Sequence, residues 1–136
     1  GLSMIRPNVR LVQGQSTGRD LCGASKSDVA VVFDFSRYRR NSIVASRTLA
    51  KLGVAIVAIT DGPLSPLASL TENRCELDVP AVGPFDSSVP AVITAELLVA
   101  QVVAQLGSVA RERIDHLENF WQSTETFLSG VASSTK

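Results

Sequence analysis

Residues that build covalent or metal frameworks are scarce in this sequence. Two cysteines and one histidine in 136 residues make neither a disulfide scaffold nor a zinc quartet, so Cys22 and Cys75 are expected to be reduced, semi-buried thiols. Nine Gly and six Pro are too few for collagen or extended disorder. No uninterrupted apolar run approaches the length of a membrane span, and the opening GLSMIRPNVR lacks a signal-peptide pattern, so a cytoplasmic protein with no membrane partner is expected. Metal-ligand clusters, a nucleophile elbow, a Walker loop and a GxGxxG fingerprint are all missing from the sequence, which removes support for metal, hydride-transfer or ATP chemistry. No cofactor is expected.

What is present is a one-domain length with 45% hydrophobic side chains, enough for one core. The formal charge is zero but unevenly placed. Residues 1–53 hold nine Lys/Arg against three Asp, and residues 54–136 hold four against ten Asp/Glu. The result is six positive charges in one half and six negative in the other. Such a dipole can draw an anion to the first half or pair one copy of the chain with another, and it does not suit duplex DNA.

Two short β-branched runs, DVAVVFD at residues 28–34 and VAIVAI at 54–59, read as buried parallel strands. Between them, residues 41–52 place Ala45, Leu49 and Leu52 at helical spacing, and Gly53 is a stop signal. Strand, helix and strand make a right-handed βαβ unit. Weaker signals predict strands at 8–13 and 75–79, a helix at 17–24 and a short helix at 66–70 capped by Ser65. From Val89 on the chain reads as helical, capped by Ser87 or Ser88 and broken at Gly107. Ala110, Ile114, Leu117, Trp121, Thr124 and Leu128 then form a seam at spacings of three and four. That seam is either a dimer helix or a terminal helix folded back on its own sheet. Residues 129–136 read as a disordered tail.

In an open parallel sheet, ligands bind beyond the carboxyl ends of the strands. The loop after Asp34 reads Phe35, Ser36, Arg37, Tyr38, Arg39, Arg40, Asn41, Ser42. It brings hydroxyls, an amide and three guanidinium groups to a helix N-terminus, the components of a phosphate cradle. The loop after Ile59 adds Thr60 and Asp61, which on the same sheet edge would reach a ligand's hydroxyls or simply build a turn. The ligand-binding candidates are therefore Ser36, Arg37, Arg40, Asn41, Ser42, Thr60 and Asp61. This reading requires both loops to share one rim, with the arginine loop not closed by the protein's own side chains. Glu96 and His116 are the only candidates for a base, and each lacks a partner in sequence.

The stretch DVAVVFDFSRY, the helix ending AKLG, then VAIVAITDGPLSPLA, CELDVP and a polar FDSS before a long helix resemble the sugar isomerase (SIS) domain. The likeness is greater to the version in RpiR-type bacterial transcription regulators, and it spans residues 6–127. The resemblance implies an α/β three-layer sandwich with a mostly parallel sheet in flavodoxin-like order, a single domain over residues 1–136. It also implies a sugar-phosphate effector, a homodimer, no catalysis, and DNA contact only through a helix-turn-helix domain absent here. Family members hold phosphate in a Ser, Gly and Thr-rich loop. Here RYRR replaces part of that loop, which moves anion binding toward Arg37, Arg39 and Arg40. The family's first strand and helix, with a further ligand-contacting serine, are missing from this sequence. The competing functions are an aldose-ketose phosphosugar isomerase using Glu96 or His116, and a dimerisation module without a ligand.

Overall fold

The structure, a computed structural model, describes residues 1–13 and 17–124. In chain order its elements are α1 (Leu2–Ile5), α2 (Thr17–Leu21), β1 (Val29–Phe33), α3 (Arg40–Lys51), β2 (Ala55–Thr60), β3 (Arg74–Glu76), β4 (Ala81–Val82), β5 (Phe85–Asp86), α4 (Val89–Leu106) and α5 (Ser108–Ser123). They form two compact units, one of Arg10–Ala95 and one of Gly1–Val9 with Glu96–Lys136. The predicted tail at 129–136, and Leu128 of the seam, lie outside the described residues.

The unit of Arg10–Ala95 is an α/β sandwich around a parallel sheet of order β1-β2-β3. Val29 pairs with Ala55 and Phe33 with Ile59, and Ala58 to Thr60 pair with Arg74 to Glu76. β2 is central and buried along most of its length, as its unbroken apolar run requires. β1 pairs only with β2 among the described residues, and Val29 at its start is exposed. α3 packs across β1 and β2. Its buried residues are Ile43, Ser46 and Leu49, a stripe turned from the expected Ala45, Leu49 and Leu52. Leu52 is the C-cap residue and is exposed. The helix ends as the sequence predicts. Gly53 takes φ +82°, its N–H bonds the Ala50 carbonyl, and the Val54 N–H bonds the Leu49 carbonyl, a Schellman stop that favours glycine. Two adjoining clusters form the core, Ile43, Ala58 and Leu67 in one, Leu49, Val54 and Ile56 in the other, with Val32 packed against both.

Two expected elements are replaced by other structure. Residues 8–13 form no strand: Asn8 sits at φ +60°, a left-handed turn conformation that cannot enter an extended ladder. Residues 66–70 form no helix either. Ala68 bonds the Ser65 carbonyl and Leu70 the Leu67 carbonyl, successive three-residue turns that place Leu67 in the core. Ser65 still acts as a cap, its Oγ accepting from the Leu67 N–H at 3.2 Å. Cys22 and Cys75 are free, as expected, but exposed rather than semi-buried.

In the other unit α1 packs on α5, with Ile5 and Ala110 buried. Ile114, Leu117 and Trp121 of the predicted seam are half-buried and Thr124 is exposed. The seam therefore meets the chain's own N-terminal turn, a partner that neither sequence reading named.

α4 departs from expectation in composition. It is long and apolar enough to cross a membrane by those criteria alone, although no uninterrupted run had suggested it. Glu96, Gln101 and Gln105 interrupt the run without ending the helix. None of its residues is buried, and Val89, Val92, Ile93 and Leu97 are exposed. Gly107, at φ +54°, separates it from α5, where the sequence places the break.

Candidate functional site: the loops after the first two strands

β1 and β2 run parallel in register, so the loops leaving Phe33 and Thr60 emerge on one edge of the sheet. They are tied together there. The Ser36 N–H donates to Asp61 Oδ2 at 2.8 Å, and the Ser36 hydroxyl donates to the same oxygen. The Tyr38 hydroxyl donates to Asp61 Oδ1, and the Thr60 hydroxyl reaches that oxygen at 3.3 Å. The shared rim that the sequence reading required is thus present. Its open donors are not, because four of them are already spent on one carboxylate.

A second carboxylate organises the helix end. The residue preceding α3, Arg39, supplies no side-chain cap, leaving the free N–H groups of the first turn in need of an acceptor. Asp34, only 6% exposed, supplies one for the N-cap residue itself. Its Oδ2 accepts from the Arg39 N–H at 3.2 Å.

These environments push the ionisable groups in different directions. Burial raises the Asp34 carboxyl above its ordinary value, and the bonds from the Arg39 N–H and the Ser42 hydroxyl only partly offset it. Burial also pushes Asp61 upward, but bonds from Ser36 and Tyr38 outweigh it and hold the carboxyl below its ordinary range. Tyr38 is raised, first by its bond to Asp61 and then by burial, with the Ser65 and Thr60 hydroxyls opposing. Its ring packs against the Ile43, Ala58 and Leu67 cluster, so the phenol is a rigid strut from core to rim.

Arg37 lies between two residues fastened to Asp61 and adopts φ +71°. A non-glycine side chain in that conformation costs roughly 1–2 kcal/mol, and its anchored neighbours hold it there. Arg37, Arg39 and Arg40 are exposed. The one ion pair among the described residues is Arg74 with Glu76 at 3.1 Å, so all three guanidinium groups remain available to an anion.

The structure therefore brings Ser36 and Thr60 onto Asp61, with Arg37 in the same loop as Ser36 and Arg40 as the first residue of α3. Asn41 is exposed and Ser42 half-buried in the first turn of α3. Thr60 is wholly buried beneath Asp61. Sequence reasoning missed Asp34, Tyr38 and Ser65. A signal existed for the first, since an acid closing a strand ahead of a helix whose N-cap is arginine is a ready substitute cap. The two candidate bases belong to the other unit. Glu96 is exposed on α4, and His116 is exposed on α5 beside Glu112 and Arg113 in an open cleft of about 340 Å³.

A parallel sheet packed with helices, with two loops meeting at its carboxyl edge, defines an α/β sandwich domain. Comparison with known proteins narrows the class. The SIS domain description matches residues 2–101, and the chain belongs to the SIS domain family. That match takes in most of α4, which assigns the helix to this domain. Among solved structures the chain is similar to the sugar isomerase domain of an RpiR transcription factor from Sphaerobacter thermophilus, with a TM-score of 0.72 and 22% identity. The alignment covers 82% of this chain and 62% of that one, so the chain spans less than two thirds of the structure it resembles. No curated protein matches the chain.

Proposed function

We propose that this chain is the effector-sensing part of a bacterial sugar-responsive transcription regulator of the RpiR type. The effector is a phosphorylated sugar held at the loop after β1. The observation that carries this reading is the group of three exposed guanidinium groups, none in an ion pair among the described residues, on the sheet edge where α/β domains take ligands. Arg37 and Arg40 grip the phosphate through paired hydrogen bonds, Asn41 and Ser42 add polar contacts from the start of α3, and Ser36, Thr60 and Asp61 form the floor. Membership of the SIS family supports a sugar ligand, and the likeness to a transcription factor's domain supports sensing over turnover. In this reading the protein works in the cytoplasm without a cofactor, and a helix-turn-helix domain outside these residues contacts DNA. Two copies pair through apolar surface that includes exposed α4 residues.

Calorimetry and thermal shift against a panel of hexose and pentose phosphates, with inorganic phosphate as reference, test it. At least one phosphorylated sugar should bind, and Arg37→Ala with Arg40→Ala should weaken binding about tenfold or more, the scale of losing a charge-assisted pair. Turnover of a sugar phosphate that vanishes in Glu96→Gln would replace this reading with an isomerase. Binding by none of the panel would leave a dimerisation module.

A further inference from the structure

Asp61 presents a stoichiometric puzzle. A carboxylate offers about four acceptor positions, and Asp61 receives the Ser36 N–H, the Ser36 hydroxyl, the Tyr38 hydroxyl and the Thr60 hydroxyl. It is saturated, so it has no lone pair left for a ligand's hydroxyl. The same donors are those a phosphate oxygen seeks, in a segment with three exposed arginines that form no ion pair among the described residues. A phosphate arriving at this rim meets a carboxylate of its own sign already seated on the best donors, and like charges this close repel.

We propose that Asp61 is a built-in competitor: its carboxylate occupies the anion position of the loop after β1, and a phosphate binds by displacing it from Ser36 and Tyr38. This rests on the anion-binding reading of the arginine loop given above. Displacement exchanges acceptors on the same donors, so the loop keeps its hydrogen bonds while the tie between the two loops is broken. The freed segment leads directly into Ser65 and Leu67, both buried. Occupancy at the rim is thereby transmitted to the turns that cover the core, the kind of two-state contact a sensor needs.

Phosphate binding to the whole chain, measured by calorimetry for wild type and for Asp61→Asn, tests the idea with inorganic phosphate as probe. A titration of the wild-type amide and aromatic spectrum by nuclear magnetic resonance accompanies it. Asparagine keeps the side-chain shape and removes the charge, so Asp61→Asn should bind phosphate about tenfold more tightly. In wild type the Ser36 amide and the ring of Tyr38, the one tyrosine in the chain, should shift together as phosphate is added. Binding to Asp61→Asn with none to wild type would be the strong form of the same result. If wild type binds phosphate but those two signals stay still, or the variant binds no more tightly, the displacement idea falls and the arginine site survives. If neither protein binds phosphate and no sugar phosphate binds wild type, both fall together. The wild-type titration decides the matter even where the variant fails to fold.

Discussion

The tie between Tyr38 and Asp61 is open to a double-mutant cycle whose size follows from the contacts. In Asp61→Ala, four donors lose their acceptor. The two from Ser36 are exposed and exchange Asp61 for water at little cost. The Tyr38 and Thr60 hydroxyls are more enclosed, and stranding them costs about 2–3 kcal/mol together, since an unmade enclosed hydrogen bond costs about 1–3 kcal/mol. Tyr38→Phe keeps the ring against Ile43, Ala58 and Leu67 and removes one donor, for about 1 kcal/mol. Once Asp61 is gone, Tyr38→Phe removes the stranded hydroxyl, so it should then recover about 1 kcal/mol instead of costing it, leaving a coupling of about 2 kcal/mol. Urea denaturation followed by circular dichroism reads all four proteins. At about 4 °C per kcal/mol for a chain of this size, Asp61→Ala should also melt some 10 °C lower. Alkaline titration adds a check. Tyr38 titrates above its ordinary value of 10.0 because of Asp61, so its stabilising contribution is complete below pH 10 and disappears as pH rises through the raised value. In Asp61→Ala the tyrosinate absorbance should appear at lower pH. Costs that simply add, with an unmoved titration, would refute the account of the rim.

Three further outcomes follow from other sites. Asp34 titrates above 3.8 because it is buried, so its contribution favours the fold below pH 3.8 and diminishes as pH rises through the raised value. Asp34→Asn, which can still cap α3, should therefore raise the urea midpoint at pH 7 and remove that part of the acid dependence; a lowered midpoint would show the charge to be needed at the helix end. Arg37→Gly should be more stable than Arg37→Ala by about 1 kcal/mol, because only glycine is at ease at φ +71°, and equal melting temperatures would mean the loop relaxes in solution. Ile93→Asp with Leu97→Asp, both on the exposed apolar surface of α4, should lower the mass seen by sedimentation if that helix joins two copies, and an unchanged mass would place the interface elsewhere.

The fold was legible where the physics is local. Residues 28–60 carry two β-branched runs, a helical stripe and a glycine stop, and each signal lies within a few residues of the structure it produces. β1, α3 and β2 therefore appear within a residue of their expected positions, with Gly53 in the left-handed state that ends the helix. Errors arose where a tertiary partner decides. NVRLVQ has a strand's composition, yet its first residue, Asn8, takes a left-handed turn and no described strand pairs with the segment. SPLASL has a helix's opening, yet tighter turns bring Leu67 into the core. The face of α3 was displaced because Leu52, apolar and correctly spaced, falls on the cap where the chain reverses.

The site was legible in position but not in state. Parallel strands sending two loops to one edge follow from the βαβ pattern, and Ser36 meets Asp61 across 25 residues as that pattern demands. Composition could not tell whether the donors of the first loop face outward or are consumed at home, because the answer depends on a carboxylate from the second loop and a phenol that shares it. Nor could it show that Arg37 takes a backbone state suited to glycine, with a hydrogen-bonded residue on each side holding it there. The same carboxylate settles both questions, since Ser36 and Tyr38 flank Arg37 and both end on Asp61. A loop that looks like an empty cradle in sequence is a filled one in the fold. What distinguishes a sensor from a permanently open receptor at this rim is then the free-energy difference between an internal carboxylate and an external phosphate for the same donors. In the exchange proposed here, guanidinium groups unpaired among the described residues favour the phosphate, and the proximity of Asp61, which needs no second molecule, favours the closed state.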